Sequence, residues 1–244
     1  MILIKLDATE STNSFLKNLS VKSEIKDFTV VTTNNQTSGR GQMNTTWVSE
    51  VGKNLIFSVF VKHNQFKIID QPYLNFAVSV AIYEALKSFD LPKLSVKWPN
   101  DILSEKNKIC GVLIENNLKG SFVSSSIIGI GLNVNQIDFG VDLPNASSLK
   151  KITNKEIDLD QLLVAVINSL KSTIDYLRKG QFQLLERKYL EVLFKKNVPS
   201  MFKDAQNIFF MGKIIGVNTQ NGKLKIELDD ETIKEYALKE VSFA

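Results

Sequence analysis

Two lysines, an amide and a carboxylate crowd into Lys97-Trp98-Pro99-Asn100-Asp101 and the Lys108-Ile109-Cys110-Gly111 that soon follows. Ammonium groups beside amide and carboxylate groups suit an anionic ligand, such as a carboxylate meeting a triphosphate. The flanks are apolar, Leu94 and Val96 before and Val112-Leu113-Ile114 after. This pattern predicts a strand, a sharp polar turn and a second strand. Pro99 cannot donate to a sheet ladder, so the turn falls there. A charged hairpin on a solvated surface would have the same composition, and on these residues alone the two readings stand even.

A second segment, Gln36-Thr37-Ser38-Gly39-Arg40-Gly41-Gln42, follows the apolar run Phe28 to Val31. Two glycines around an arginine let the backbone approach a ligand closely, and the guanidinium fork can grip a carboxylate or phosphate with two bonds. A third, Ile127-Ile128-Gly129-Ile130-Gly131-Leu132-Asn133-Val134-Asn135, has the composition of a buried strand, and glycine inside a strand often marks close approach of a ligand or backbone. It is not a dinucleotide fingerprint, because Val134 stands where the third glycine belongs and no helical pattern follows. Alternation predicts Asn133 and Asn135 on one face of that strand.

Together these segments resemble the catalytic region of the biotin protein ligases, the biotin–[carboxylase] ligase family. The pieces come in the family's order: Glu10-Ser11-Thr12-Asn13, Gln36 to Gln42, Trp47-Val48-Ser49 with Gly52-Lys53-Asn54-Leu55, then Lys97 to Asp101, Lys108 to Glu115, Gly129 to Asn135 and Ala146-Ser147-Ser148-Leu149. The resemblance runs from Asp7 to the C-terminus. It implies an α+β fold, with a central mixed sheet flanked by helices as in class II synthetases, and a C-terminal SH3-like barrel. The expected division is a catalytic domain over 1–195 and the barrel over 196–244. Because Ser11-Thr12-Asn13 stands so near the start, the resemblance implies a short form without the N-terminal DNA-binding winged helix of some members, hence a ligase that is not a repressor.

The implied activity has two steps. Biotin and ATP form biotinyl-5′-AMP, and the biotinyl group then passes to a lysine of a biotin carboxyl carrier domain. By resemblance, Lys108 lies between the biotin carboxylate and the α-phosphate, and Arg40 grips phosphate and orders the surrounding loop. Ser11, Thr12, Asn13 and Gln36 resemble the polar set around biotin. Gly39, Gly41, Gln42 and Gly111 close that pocket, and Trp47 and Leu113 are its candidate apolar walls. Asn54, Lys97, Asn100, Gly131 and Asn133 fall on the nucleotide side with Arg40 and Lys108. Asp101 aids the transfer step by orienting or deprotonating the incoming lysine, and a Mg2+-positioning role for it stays open. A homodimer stays open too, since family members associate through the central sheet. The residues also have plainer readings: Ser11-Thr12 as a helix cap, Trp47 and Trp98 as core aromatics, Asn54 as a turn residue, Cys110 as a small buried side chain. One departure stands out. Many members carry arginines after Gly-Arg-Gly, where this chain has Gln42-Met43-Asn44-Thr45-Thr46. Fewer positive charges over the adenylate predict faster leakage of biotinyl-AMP.

The rival readings are a lipoate ligase or octanoyl transferase on the same fold, which as a thioester transferase would need Cys110, and a non-catalytic biotin or nucleotide sensor. Lys97, Asp101 and Lys108 argue against a passive binder.

Composition agrees with a cytoplasmic enzyme. The chain has 244 residues, 43% of them hydrophobic, with 30 Lys+Arg against 26 Asp+Glu, which suits one large domain, or one large and one small. A net charge of +4 without a basic block does not demand DNA. One cysteine excludes an internal disulfide and fits a reducing compartment. Met1-Ile2-Leu3-Ile4 is too short for a signal segment, and no run approaches a membrane span. The single histidine, His63, excludes a histidine-based zinc site and sits in a polar stretch that predicts a solvated loop.

Elements must position these groups. Strands are expected at Leu3 to Leu6, Val30-Val31, Leu55 to Val61, Leu94 to Val96, Ile109 to Glu115 and Phe122 to Asn135. Helical spacing marks Tyr73 to Phe89, Leu159 to Arg178 and Gln183 to Phe194, and Ser11-Thr12 caps a short helix bearing Phe15, Leu16 and Leu19. Beyond Pro199, short strands at Ile208 to Phe210, Lys213 to Asn218, Leu224 to Leu228 and Ile233 to Leu238, split by Gly212, Asn221-Gly222 and Asp229-Asp230, predict the small barrel.

Overall fold

The computed structural model describes residues 2–244, so Met1 of the opening apolar run lies outside them. The larger part is a seven-stranded sheet made of β1 (Ile2–Thr9), β2 (Thr29–Gln36), β3 (Leu55–Lys67), β4 (Ser95–Lys97), β5 (Asp101–Ser104), β6 (Asn107–Lys119) and β7 (Phe122–Leu132), in the order β1-β2-β3-β7-β6-β5-β4. Only β1 and β2 run parallel, joined by α1 (Thr12–Lys22). The other neighbours are antiparallel.

The sheet buries both faces unequally. On one side α2 (Gln71–Leu86), α4 (Leu159–Arg178) and α5 (Phe182–Glu191) close the main core over Val30, Phe57, Val59, Ile109, Ile128 and Ile130. Buried Leu162, Leu163, Val166, Ile167, Leu170, Ile174 and Leu177 form the apolar stripe of α4, each worth about 1.5–3 kcal/mol when fully buried. Asp158 caps its start by accepting from the amides of Asp160 and Gln161. On the other face α1 packs Leu16 against Val31, Phe60 and Ile127. This helix is short and covers only part of its side, so the sheet beyond it is left open, and the cavity forms there.

A second sheet, with α3 (Leu149–Thr153) and α5 preceding it in the chain, contains β8 (Ser200–Asp204), β9 (Phe209–Val217), β10 (Leu224–Leu228), β11 (Ile233–Tyr236) and β12 (Val241–Phe243). Its order is β11-β10-β9-β8-β12, all antiparallel, consistent with the SH3-like unit expected, with no β11–β12 pairing to close a barrel among the described residues. Trp98 Nε1 donates to the Gly222 carbonyl at 3.0 Å, tying this sheet to the turn before β5.

Several expectations need correction. Lys97 to Ile114 is two hairpins, because Asp101 to Ser104 form an extra strand between the two foreseen. Gly212 does not split a strand. It lets β9 pass close to β10, where a Cβ would stand 2.6 Å from Ile226 Cγ2. The strand through Gly129 ends at Leu132, so Asn133 and Asn135 lie beyond it. The strands β8 and β12 and the helix α3 had no clear signal, since their sequences are short and of mixed character. His63 is part of β3, not a solvated loop: it bonds Ser126 Oγ at 2.9 Å and lies against Phe66.

Candidate active site

One glycine pair and one leucine–glycine pair set the floor of the site. Gly111 and Leu113 of β6 stand opposite Gly131 and Gly129 of β7 on the face that α1 leaves open. Trp47 lies flat over the first pair: a Cβ on Gly131 would be 2.5 Å from Trp47 Cε2, and one on Gly111 would be 3.2 Å from Cζ3. The glycines are therefore required by the close approach of the indole and not by backbone conformation. Trp47 Nε1 is buried with no hydrogen-bond partner among the described residues, and such a donor costs about 1–3 kcal/mol.

The loop holding Arg40 folds back on itself. Arg40 and Thr46 form an antiparallel bridge, and Gly41 N donates to Thr45 O at 2.7 Å. Trp47 N donates to Gly39 O at 2.9 Å, and any side chain at Gly39 would collide with the Trp47 carbonyl. Gln42 pins the loop to the turn beside it through Asn100 Oδ1 (2.9 Å) and the Val112 carbonyl (3.3 Å). Lys239 of the C-terminal sheet reaches the same loop, 3.3 Å from the Met43 carbonyl. The turn itself, with a cis Trp98-Pro99 peptide, is held by the buried Tyr189, whose hydroxyl donates to Pro99 O at 2.9 Å. Burial raises the Tyr189 phenol well above its ordinary range, and the Asp101 charge adds to this, so it remains a neutral donor.

These elements enclose a cavity of about 410 Å³. Ser11, Thr12, Asn13, Gln36, Arg40, Gly41, Gln42, Trp47, Lys97, Asp101, Lys108, Gly111, Leu113 and Gly131 line it, as do Phe243 and Lys239 from the C-terminal sheet. Segments far apart in sequence are thus brought to one place. Four residues expected here stand outside the lining. Gly39 shapes the loop. Asn100 is buried behind it, bonded to Gln42 and Asn75. Asn54 bonds Val134 N and Gln136, and Asn133 donates to Ser147 O. These three buried asparagines satisfy backbone and amide groups in the support of the cavity wall.

The charged groups are arranged as pairs. Arg40 Nη2 is 2.9 Å from Glu115 Oε2, and Lys108 Nζ is 2.7 Å from Asp101 Oδ1. Lys97 is exposed beside them and has no carboxylate partner among the described residues. Arg40, Lys97, Lys108 and Lys239 against the single carboxylate Asp101 give the cavity lining a positive balance suited to an elongated anion. The other end is neutral and hydrogen-bonding. Thr12 N donates to Gln36 Oε1 at 2.9 Å, Ser11 caps α1, and Ser58 Oγ lies 2.6 Å from Asn13 Oδ1 and 2.7 Å from Thr12 Oγ1. Ser58 and Glu115 were not foreseen as members of this network. Ser58 breaks an otherwise apolar strand, and Glu115 shares a β6 face with Gly111 and Leu113, and these are the signals that point to them.

Cys110 is fully buried, and burial raises its thiol pKa far above the ordinary value, so no thiolate nucleophile is available there. No cluster of three His, Cys, Asp or Glu groups able to hold a metal ion is present among the described residues. No helix among the described residues is long and apolar enough to cross a membrane.

The sequence profile of the Biotin/lipoate A/B protein ligase family matches residues 6–133. The chain is 29% identical over 241 residues to the bifunctional ligase/repressor BirA of Bacillus subtilis (strain 168), covering 96% of this chain and 72% of that one. It is 28% identical over 179 residues to a biotin–[acetyl-CoA-carboxylase] ligase of Mycobacterium tuberculosis, covering 72% of this chain and 65% of that one. Among solved structures, the biotin protein ligase from Aquifex aeolicus in complex with biotin and ATP is similar with a TM-score of 0.81 and 26% identity, over 100% of this chain and 98% of that chain.

Proposed function

The chain belongs to the biotin/lipoate A/B protein ligase family, and from that premise we propose that it is an ATP-dependent biotin protein ligase working through an acyl adenylate. The observation that carries this reading is the division of one cavity into a neutral, hydrogen-bonding end at Ser11, Thr12, Asn13 and Gln36 and a cationic side at Arg40, Lys97 and Lys108. A neutral bicyclic ring suits the first, and the meeting of a carboxylate with a triphosphate suits the second.

In the first step a biotin carboxylate oxygen attacks the α-phosphorus of ATP, the bond to the β-phosphate breaks, and pyrophosphate leaves. Two anions must approach, so stabilisation by fixed positive charge is the main contribution expected from the protein. Lys108 supplies it between carboxylate and α-phosphate, while Arg40 and Lys97 bind the remaining phosphate oxygens. In the second step the ε-amine of an acceptor lysine attacks the acyl carbon, the bond to AMP breaks, and the amine gives up a proton. Asp101 is the carboxylate in the cavity lining that can orient that amine or take its proton. Magnesium accompanies the nucleotide as part of the substrate. With one carboxylate in that lining, Asp101, the ion would be held chiefly by phosphate oxygens and water, which fits its preference for few protein ligands. The acceptor is a lysine on a biotin carboxyl carrier domain.

Magnesium-dependent ATP–pyrophosphate exchange with biotin, lipoate and octanoate tests the reading. Exchange that depends on biotin is expected. Exchange with lipoate instead, or with no acid at all, overturns it.

A further inference from the structure

Asn13 stands in the cavity floor, 3% exposed, with every polar atom of its amide engaged from behind. Its Nδ2 donates to Glu115 Oε2 at 2.7 Å and to the Leu113 carbonyl at 3.4 Å. Its Oδ1 accepts from Ser58 Oγ at 2.6 Å. The opposite amide orientation would set Oδ1 against two oxygens that can only accept, a carboxylate and a carbonyl, so it is excluded. Both N–H groups are thereby consumed on the protein side. What remains for a ligand is the second lone pair of Oδ1, and the oxygen is turned toward Gly129, where a Cβ would stand 2.4 Å from it.

We propose that Glu115 is a specificity-determining, positioning residue: by holding the amide of Asn13 it makes that end of the cavity a hydrogen-bond acceptor and selects for an N–H on the ligand ring. Glu115 does not itself line the cavity and acts through Asn13. The same carboxylate oxygen accepts from Arg40 Nη2 at 2.9 Å, so its charge is balanced, and one atom joins the ring-binding floor to the cationic loop. A site whose buried polar group demands a donor rejects an analogue that lacks one far more strongly than an apolar pocket rejects a change of size. A ureido ring carries two N–H groups, a dithiolane ring carries none, and a floor of this polarity separates them.

The inference rests on the biotin-ligase reading and is tested apart from it. The probes are biotin and its two cyclic carbamate analogues, in which one ring N–H or the other is replaced by oxygen without change of shape. Dissociation constants are measured by calorimetry without nucleotide for the wild-type protein, Glu115→Leu, Glu115→Ala and Glu115→Gln. The wild type is expected to bind one carbamate at least about tenfold more weakly than biotin, which corresponds to about 1.4 kcal/mol. Glu115→Leu frees Asn13 to turn an N–H toward the ligand, and this preference should fall below about threefold. Glu115→Gln keeps an oxygen that accepts from both Asn13 and Arg40 and should retain the preference. Should Glu115→Leu fail to fold, Glu115→Ala removes the same acceptor from Asn13 Nδ2 and should erode the preference in the same way. An unchanged preference in Glu115→Leu or Glu115→Ala, or none in the wild type, overturns the inference. A wild type that does not bind biotin at all overturns the functional reading instead.

Discussion

Lys108 Nζ lies 2.7 Å from Asp101 Oδ1, joining the first residue of β5 to the second of β6 in the cavity lining. Each residue is assigned its own half of the reaction, so the pair predicts separable defects. Lys108→Ala should lower the rate of biotin-dependent pyrophosphate exchange about 100-fold or more, since it removes charge stabilisation from the adenylation step. Asp101→Asn should leave exchange within a few fold but slow transfer of preformed biotinyl-AMP to an acceptor lysine by about 100-fold, the range expected for losing a positioned base. Single-turnover assays of each half-reaction give the comparison, and equal losses in both would remove the division of labour.

Gly131 should tolerate no side chain. Its Cβ would fall 2.5 Å from one atom of the Trp47 ring and 2.7 Å from the next, so Gly131→Ala must displace the indole. Overpacking of this kind costs about 1–3 kcal/mol. We expect a rise in biotin KM of about tenfold or more, with an altered Trp47 emission spectrum, measured by exchange kinetics and fluorescence. A wild-type KM in this variant would show that the ring is free to move.

Cys110→Ala should leave catalysis within about twofold of wild type, with a cost in stability of order 1 kcal/mol for the lost packing. The thiol is fully buried and its pKa is raised, so the native protein should also resist alkylation by iodoacetamide at pH 8. Loss of activity on either treatment would favour a thioester mechanism.

His63 makes the fold sensitive to acid. Burial first, and the nearby Arg178 charge second, push its pKa from 6.5 down to about 4. The unfolded chain therefore binds a proton that the folded chain refuses between these values. Stability from this group is complete above pH 6.5 and is lost progressively as pH falls through about 4, by up to about 3 kcal/mol. Because Ser126 Oγ already lies 2.6 Å from the acceptor Asn116 Oδ1, it receives its bond from Nε2–H of a neutral ring. Urea midpoints at pH 7 and pH 4.5 should differ less for His63→Gln than for the wild type.

Gln42 holds the Arg40 loop by two hydrogen bonds, to Asn100 and to the Val112 carbonyl. Gln42→Ala should raise the dissociation rate of biotinyl-AMP several fold, because each such bond contributes about 1 kcal/mol to the closed loop. Gln42→Arg exchanges those bonds for positive charge near the phosphate. It should slow release if charge limits retention, which radiolabelled-intermediate chase experiments measure directly.

The sequence by itself determined a good deal. Long elements with unmixed periodicity were legible, and α4 begins and ends at Leu159 and Arg178 as its apolar spacing predicts. Polar and glycine-rich segments beside apolar strands, Ser11 to Asn13, Gln36 to Gln42 and Lys97 to Asp101, were legible as places needing a reason, because such residues are costly inside a core, and residues of all three line one cavity. Local signals failed where a residue's role depends on distant neighbours. Asn54 and Asn133 resemble ligand residues in sequence, yet the fold uses their amides to satisfy backbone groups. Gly212 reads as a break and serves as a close crossing of two strands. His63 sits among polar residues in sequence, and only the fold half-buries its ring against Ser126 and Phe66. Which cation faces which carboxylate, and that Glu115 and Ser58 together fix the amide of Asn13, could be decided only in three dimensions. Hydrogen bonds and ion pairs act over about 3 Å, and residues a hundred positions apart reach that distance only when the sheet brings their strands together.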